Sequence, residues 1–198
     1  MADVINNRSC QWHRVGVVDK VPGKVINSFI PRRTLQRIHD NAALQYSMFL
    51  YNENSKENFQ YKVNVSGSDI FSLLSSEDCE DLIGIYLQTK GYFLVPSSCK
   101  NETMGYEFVL KKDAETAVVQ VKNGKVDLNV DEYRDFPGQV YLFTTKGKYL
   151  NQQTTAENVI TLDRNILIDF MNTNYDSLPE RIKSWITILR KVNDKNFA

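Results

Sequence analysis

The stretch "YEFVLKKDAETAVVQVKNG", residues 106–124, decides how the rest of the chain is read. Two apolar runs flank the polar pair Asp113-Ala114, which is the pattern of a hairpin. With the turn centred between those residues, paired positions sum to a constant, and Glu107 stands opposite Gln120. Lys122 is two residues further on and shares their face, because side chains alternate along a strand. The plain reading of Val118-Val119-Gln120-Val121-Lys122 is a buried strand ending in a solvated lysine. The chemical reading is a carboxylate, an amide oxygen and an ammonium gathered at one end of a sheet. Oxygen donors of that kind suit Mg²⁺ (or Mn²⁺), which takes one or two carboxylates and keeps several waters. A lysine beside such an ion can orient or activate a water, or steady a phosphate.

Working outward, "SGSDIFSLLSSEDCEDLIGIYLQTKGY" contains a helix capped by Ser75 or Ser76, with acids in its first turn. Its apolar stripe is Cys79, Leu82, Ile83, Tyr86 and Leu87, and Gly91 stops it. "YFLVP" and "VITLD" read as short strands, and "QVYLFTT" as a strand for the middle of a sheet. "RNILIDFMNT" and "SLPERIKSWITILRKV" read as helices, the second with the stripe Ile182, Trp185, Ile186 and Leu189. Upstream, residues 11–30 read as two short strands around Asp19–Gly23, and "PRRTLQRIHDNAAL" as a helix opened by Pro31. "QYSMFLYN" and "NFQYKVNV" both look like strands. The expected architecture is α/β: a β-rich N-terminal segment over 1–65 with one helix, then a mixed sheet flanked by helices over 66–198.

The 198 residues carry 24 acidic and 24 basic side chains, so phosphate binding would need a local patch rather than a global field. Three scattered cysteines, Cys10, Cys79 and Cys99, form no zinc spacing and predict a reduced, cytoplasmic protein. "MADVINNRSCQWHR" lacks the apolar core of a secretory signal, and no run approaches the ~18 apolar residues of a membrane span. His13 and His39 are not spaced for a triad or a metal site, and both tryptophans, Trp12 and Trp185, read as core.

Several features recur in one order. Glu80 lies on "CEDLIGIYLQTKGY", Gly105-Tyr106-Glu107 leads into the hairpin, and "VVQVK" follows. "VYLFTT" and "ITLDRNILIDF" come next. From about residue 70 to 171 this order resembles the PD-(D/E)xK nuclease superfamily, and within it the Mrr-type branch, where Gln-x-Lys stands in for Glu-x-Lys. The resemblance implies a restriction-endonuclease-like fold and a Mg²⁺-dependent endonuclease acting on double-stranded DNA, as in restriction or phage defence. It makes Glu107 the main metal ligand, joined by the Gln120 side-chain oxygen and the Val121 carbonyl. Lys122 would position the attacking water, and Glu80 would complete the outer shell of the metal. The family usually has aspartate where this chain has Glu107. Enzymes of this kind often dimerise, and residues 1–65 would recognise DNA, a partner or a second copy.

Phosphate contacts are expected from Ser98, Lys111, Lys112 and Lys125, with Lys146 and Lys148 nearby, and from Arg32, Arg33 and Arg37 on the N-terminal helix. Two other classes stay open: a catalytically inactive interaction module on the same fold, and an immunity-type protein that blocks another enzyme.

Overall fold

The computed structural model describes residues 11–29, 37–55, 66–100, 105–152 and 157–194. The helices are α1 (Gly23–Phe29), α2 (Asn41–Asn54), α3 (Ile70–Leu73) and α4 (Ser76–Gln88), followed after the sheet strands by α5 (Arg164–Thr173) and α6 (Glu180–Asp194). The strands are β1 (Phe93–Leu94), β2 (Phe108–Lys112), β3 (Glu115–Lys122), β4 (Leu128–Asn129), β5 (Gln139–Thr144), β6 (Tyr149–Leu150) and β7 (Val159–Thr161). A five-stranded sheet runs in the order β1-β2-β3-β5-β7. Its first three strands are antiparallel, while β3-β5-β7 are parallel. A small parallel pair, β4-β6, stands apart. The α/β class with a mixed sheet between helices is therefore as expected.

The hairpin has the expected register. Phe108 pairs with Val119 and Lys112 with Glu115, around a turn where Asp113 takes a left-handed φ of 52°. Aspartate tolerates that conformation because its short polar side chain bonds locally. Glu107 sits just ahead of β2, and its N–H donates to Val119 O at 2.7 Å.

Helix α4 starts where its sequence says. Ser75 Oγ accepts from Asp78 N at 3.1 Å, and Asp78 returns the bond to Ser75 N at 2.8 Å, a complete capping box. Cys79, Leu82, Ile83 and Leu87 are buried in the main core, and Gly91, at φ 90°, ends the chain reversal. That core fills one face of the sheet with α4, α5 and α6, and Trp185 lies at its centre, 1 % exposed. The other face carries a smaller cluster built from Val118, Leu128, Val130, Val140 and Leu142.

The N-terminal expectation needs correction. No strand forms among the described residues of 11–55. "QYSMFLYN" lies inside α2, because Ala42, Tyr46, Phe49 and Leu50 form a helical stripe against the core and Asp40 caps the helix through Ala43 N at 3.0 Å. Its aromatic residues favour strands by propensity, but that stripe burial decides the outcome. Helix α2 starts at Asn41, Arg37 precedes it in an irregular segment over 37–40, and Pro31 lies outside the described residues. Residues 23–29 form α1 directly after Pro22, whose carbonyl accepts from Ile26 N at 3.1 Å, and Gly23 presses its backbone on Leu74, where a Cβ would meet the carbonyl oxygen at 2.0 Å. "NFQYKVNV", Arg32 and Arg33 lie outside the described residues. Trp12 is 91 % exposed, so it is not core. Cys79 is buried, Cys99 is exposed, and both are free thiols. Among the described residues no helix is long and apolar enough to cross a membrane.

Candidate functional site

The C-terminal ends of parallel strands β3 and β5 lie side by side, with Lys122 paired to Thr144. The start of antiparallel β2 lies at the same end, since Glu107 precedes the Phe108–Val119 pair. Three strand ends thus bring Glu107, Gln120 and Lys122 together. Carboxyl ends of parallel strands are where open sheets leave room for ligands.

Gln120 is 3 % exposed. Its Nε2 donates to Glu107 Oε1 at 2.7 Å and lies 3.4 Å from the Val121 carbonyl oxygen. Lys122 Nζ reaches the same Glu107 oxygen at 3.5 Å, with about two-fifths of its side chain in water. An amide N–H and an ammonium thus both face Glu107, and the amide also faces the Val121 carbonyl. Glu80, on the second turn of α4, is half-buried and joins this group electrostatically. Burial first, then the carboxylate of Glu107, and then Asp81 and Glu77 push its carboxyl up to about 7, while Lys122 pulls it partly back. Glu107 also helps to raise the Tyr133 hydroxyl, after burial and Glu132, and Tyr133 packs on the smaller apolar cluster.

The donor set is one of hard oxygens: two carboxylates, a main-chain carbonyl and a side-chain amide. Among the described residues no group of three or more His, Cys, Asp or Glu side chains is placed to hold a metal. Two carboxylates with neutral oxygens and waters is nevertheless a normal Mg²⁺ set. Turning the Gln120 amide over exchanges Nε2 for Oε1 at the point where those oxygens meet. The oxygens are of the kind a hard divalent cation takes, and mutual repulsion between Glu80 and Glu107 is the kind of cost a cation offsets, while the Gln120 amide as placed presents its nitrogen to Glu107.

The expected phosphate contacts divide. Lys125 is exposed and follows β3 at this end of the sheet. Lys111 and Lys112 flank the hairpin turn, at the opposite end. Four residues of strand separate Lys111 from Glu107, about 14 Å at strand spacing. Lys111 bonds Thr116 Oγ1, and Lys112 bonds Lys90 O at 3.0 Å, so these two end β2 at the turn, away from Glu107. Ser98 is a turn residue too: its hydroxyl donates to Val95 O at 2.6 Å and accepts from Val109 N at 2.8 Å. Lys146 is spent on Asp40 at 2.6 Å, where burial would raise the Asp40 carboxyl but hydrogen bonds from Lys146 and Ala43 hold it below the ordinary range. Lys148 and Arg37 are exposed.

Sequence reading missed Asn123, Tyr133 and the Asp40–Lys146 pair. For Asn123 the only signal is its place directly after the lysine. Compared with known proteins, the chain matches no family model, no curated protein and no solved structure.

Proposed function

We infer that this chain is a metal-dependent nuclease that hydrolyses phosphodiester bonds, with double-stranded DNA as substrate. The observation that carries the reading is the meeting of Glu107, Gln120 and Lys122 at one end of the sheet with Glu80 in electrostatic range. The ordered resemblance to the PD-(D/E)xK superfamily, Mrr-type branch, supports it and suggests a role in restriction or phage defence.

Glu107 and the Val121 carbonyl would hold the cation directly, with Gln120 Oε1 after the amide turns and Glu80 through a water. Mg²⁺, when bound, supplies acidification of a water and charge neutralisation at the phosphate. Lys122 keeps its ammonium within 3.5 Å of Glu107, where it can bond a phosphate oxygen or the attacking water. Exposed Lys125, three residues further along the chain, would take another phosphate of the strand. Without the cation, buried Gln120 holds Glu107 in place through its Nε2. Glutamate at 107 carries its carboxylate one carbon–carbon bond beyond the usual aspartate, so a bound cation would be held from a longer side chain.

A second reading, an inactive interaction module, is favoured by the Gln120 amide nitrogen, which already satisfies Glu107 without any cation. Plasmid cleavage in Mg²⁺ and in Mn²⁺ separates the two. The nuclease reading expects metal-dependent cutting that Lys122→Ala and Glu107→Ala each reduce at least ~100-fold. No cutting of methylated or unmethylated plasmid, with no metal-dependent rise in Tm, supports the interaction module. Cutting that survives both substitutions refutes this site.

A further inference from the structure

The chain directly after Lys122 is held far more firmly than a strand-to-loop exit requires. Asn123 Nδ2 donates to Leu74 O at 3.1 Å, and Asn123 Oδ1 accepts from Thr145 Oγ1 at 3.1 Å. The same Thr145 oxygen accepts from Gly124 N at 2.7 Å. Main-chain bonds close the set: Thr145 N to Lys122 O at 3.0 Å and Lys146 N to Gly124 O at 3.1 Å. Thr145 is 1 % exposed, so these bonds form away from competing water.

The polarity of the set is specific. The Asn123 amide must present nitrogen to Leu74 and oxygen to Thr145, and the Thr145 hydroxyl must donate one way and accept the other. Neither valine at 145 nor aspartate at 123 can do this. The clamp is itself anchored, because the Lys146 side chain bonds Asp40, whose carboxylate is 2 % exposed. Thr144 fastens the neighbouring loop in the same way, donating to Val126 O at 2.7 Å and accepting from Gly147 N at 3.0 Å.

A lysine ammonium ends a flexible stem, so where it reaches depends on where its backbone is rooted. We propose that Asn123 and Thr145 are positioning residues that hold the Lys122 ammonium against Glu107, acting through the backbone of residues 122–124. The catalytic consequence rests on the nuclease reading; the structural consequence does not, and the test reads the two separately.

Thr145→Val removes the hydroxyl at constant shape, Thr145→Ser restores it, and Asn123→Asp keeps the acceptor but loses the donor to Leu74. All are made in the full chain. The first readout is the Lys122 Cε and Nζ resonance, assigned by its loss in Lys122→Arg, and compared in each protein with and without an added Glu107→Gln change that removes the partner charge. The second is kcat and KM for duplex cleavage in Mg²⁺. With residues 123 and 145 unchanged, the Lys122 resonance is expected to shift on Glu107→Gln, because its ammonium lies 3.5 Å from that carboxylate. The response is expected to vanish in Thr145→Val and Asn123→Asp and to return in Thr145→Ser. Over the same series kcat is expected to fall ~10- to 100-fold and recover, as for a displacement of about 1 Å. KM is expected to stay within about twofold, since substrate binding is not what the clamp serves. A Lys122 resonance that behaves alike in the unchanged protein and in either folded variant, Thr145→Val or Asn123→Asp, overturns the proposal. Should Thr145→Val fail to fold, Asn123→Asp against Thr145→Ser decides alone. A resonance that responds as expected in a protein that cuts no nucleic acid upholds the positioning and removes the nuclease reading instead.

Discussion

Replacing Glu80 by glutamine is expected to stabilise the protein at about pH 8 and to change nothing near pH 4, below both titrations. Burial, then Glu107, Asp81 and Glu77, lift the Glu80 carboxyl from 4.5 to about 7. A carboxyl that titrates higher in the folded chain than in the unfolded one is a group whose proton the native state holds more tightly. Stability from that proton is present below the unfolded value and is lost as pH rises through the folded value, here between about 4.5 and 7. At 1.36 kcal/mol for each tenfold change, the loss has a ceiling of about 3.4 kcal/mol. Glu80 is only half-buried, and solvent screening reduces that to about 1–2 kcal/mol. Glutamine keeps the shape and cannot ionise, so the variant gains that amount at alkaline pH. Urea unfolding of both proteins across this range, in EDTA, measures it. Added Mg²⁺ is then expected to recover stability at about pH 8 in the unchanged protein more than in the variant, by preferential binding to the folded state. Parallel pH profiles for the two proteins would mean that Glu80 does not feel Glu107, and the site as described would come apart.

Other expectations concern the frame that holds the site. Asp78 is almost fully buried and bonds Arg181 of α6, which also reaches Glu77 and Ser75 at 3.3 Å. Arg181→Ala is expected to cost about 2–3 kcal/mol, somewhat below the usual figure for breaking a buried pair because Ser75 still bonds Asp78. Arg181→Ala with Asp78→Asn should lose less than the separate changes summed, read from denaturation midpoints in a double-mutant cycle. At Gly147 a Cβ would fall 1.8 Å from Val126 O and 2.6 Å from Thr144 Oγ1. Gly147→Ala is therefore expected to force that loop apart at a cost of several kcal/mol, about 2 or more, seen as a fall in Tm. An unchanged Tm would refute the close approach.

The hairpin and its consequences were legible because they are local. A two-residue turn sets every pair by addition, so Glu107 opposite Gln120 follows from the turn position alone. The capping box at Ser75–Asp78 and the stripe behind it were legible for the same reason. Helix α2 was not, because Tyr46, Phe49 and Tyr51 score as strand residues, and only the contact of Tyr46 with Trp185, ring centres 5.3 Å apart, shows which periodicity is used. Lys111 and Lys112 misled because the sequence shows that lysines flank a turn but not which end of the sheet holds the chemistry.

By itself, then, the sequence determined the α/β class from residue 66 onward, the hairpin register, and the set Glu107, Gln120 and Lys122 on one face. Alternation and turn geometry act over a few residues and need no knowledge of the rest. Tertiary structure alone decided that β3 runs parallel to β5, bringing Thr145 onto the residues after Lys122. It also decided that Glu80 feels the charge of Glu107, and that α2 packs Tyr46 against Trp185. Those outcomes depend on which strands lie side by side and which faces are buried together, and no local pattern encodes them.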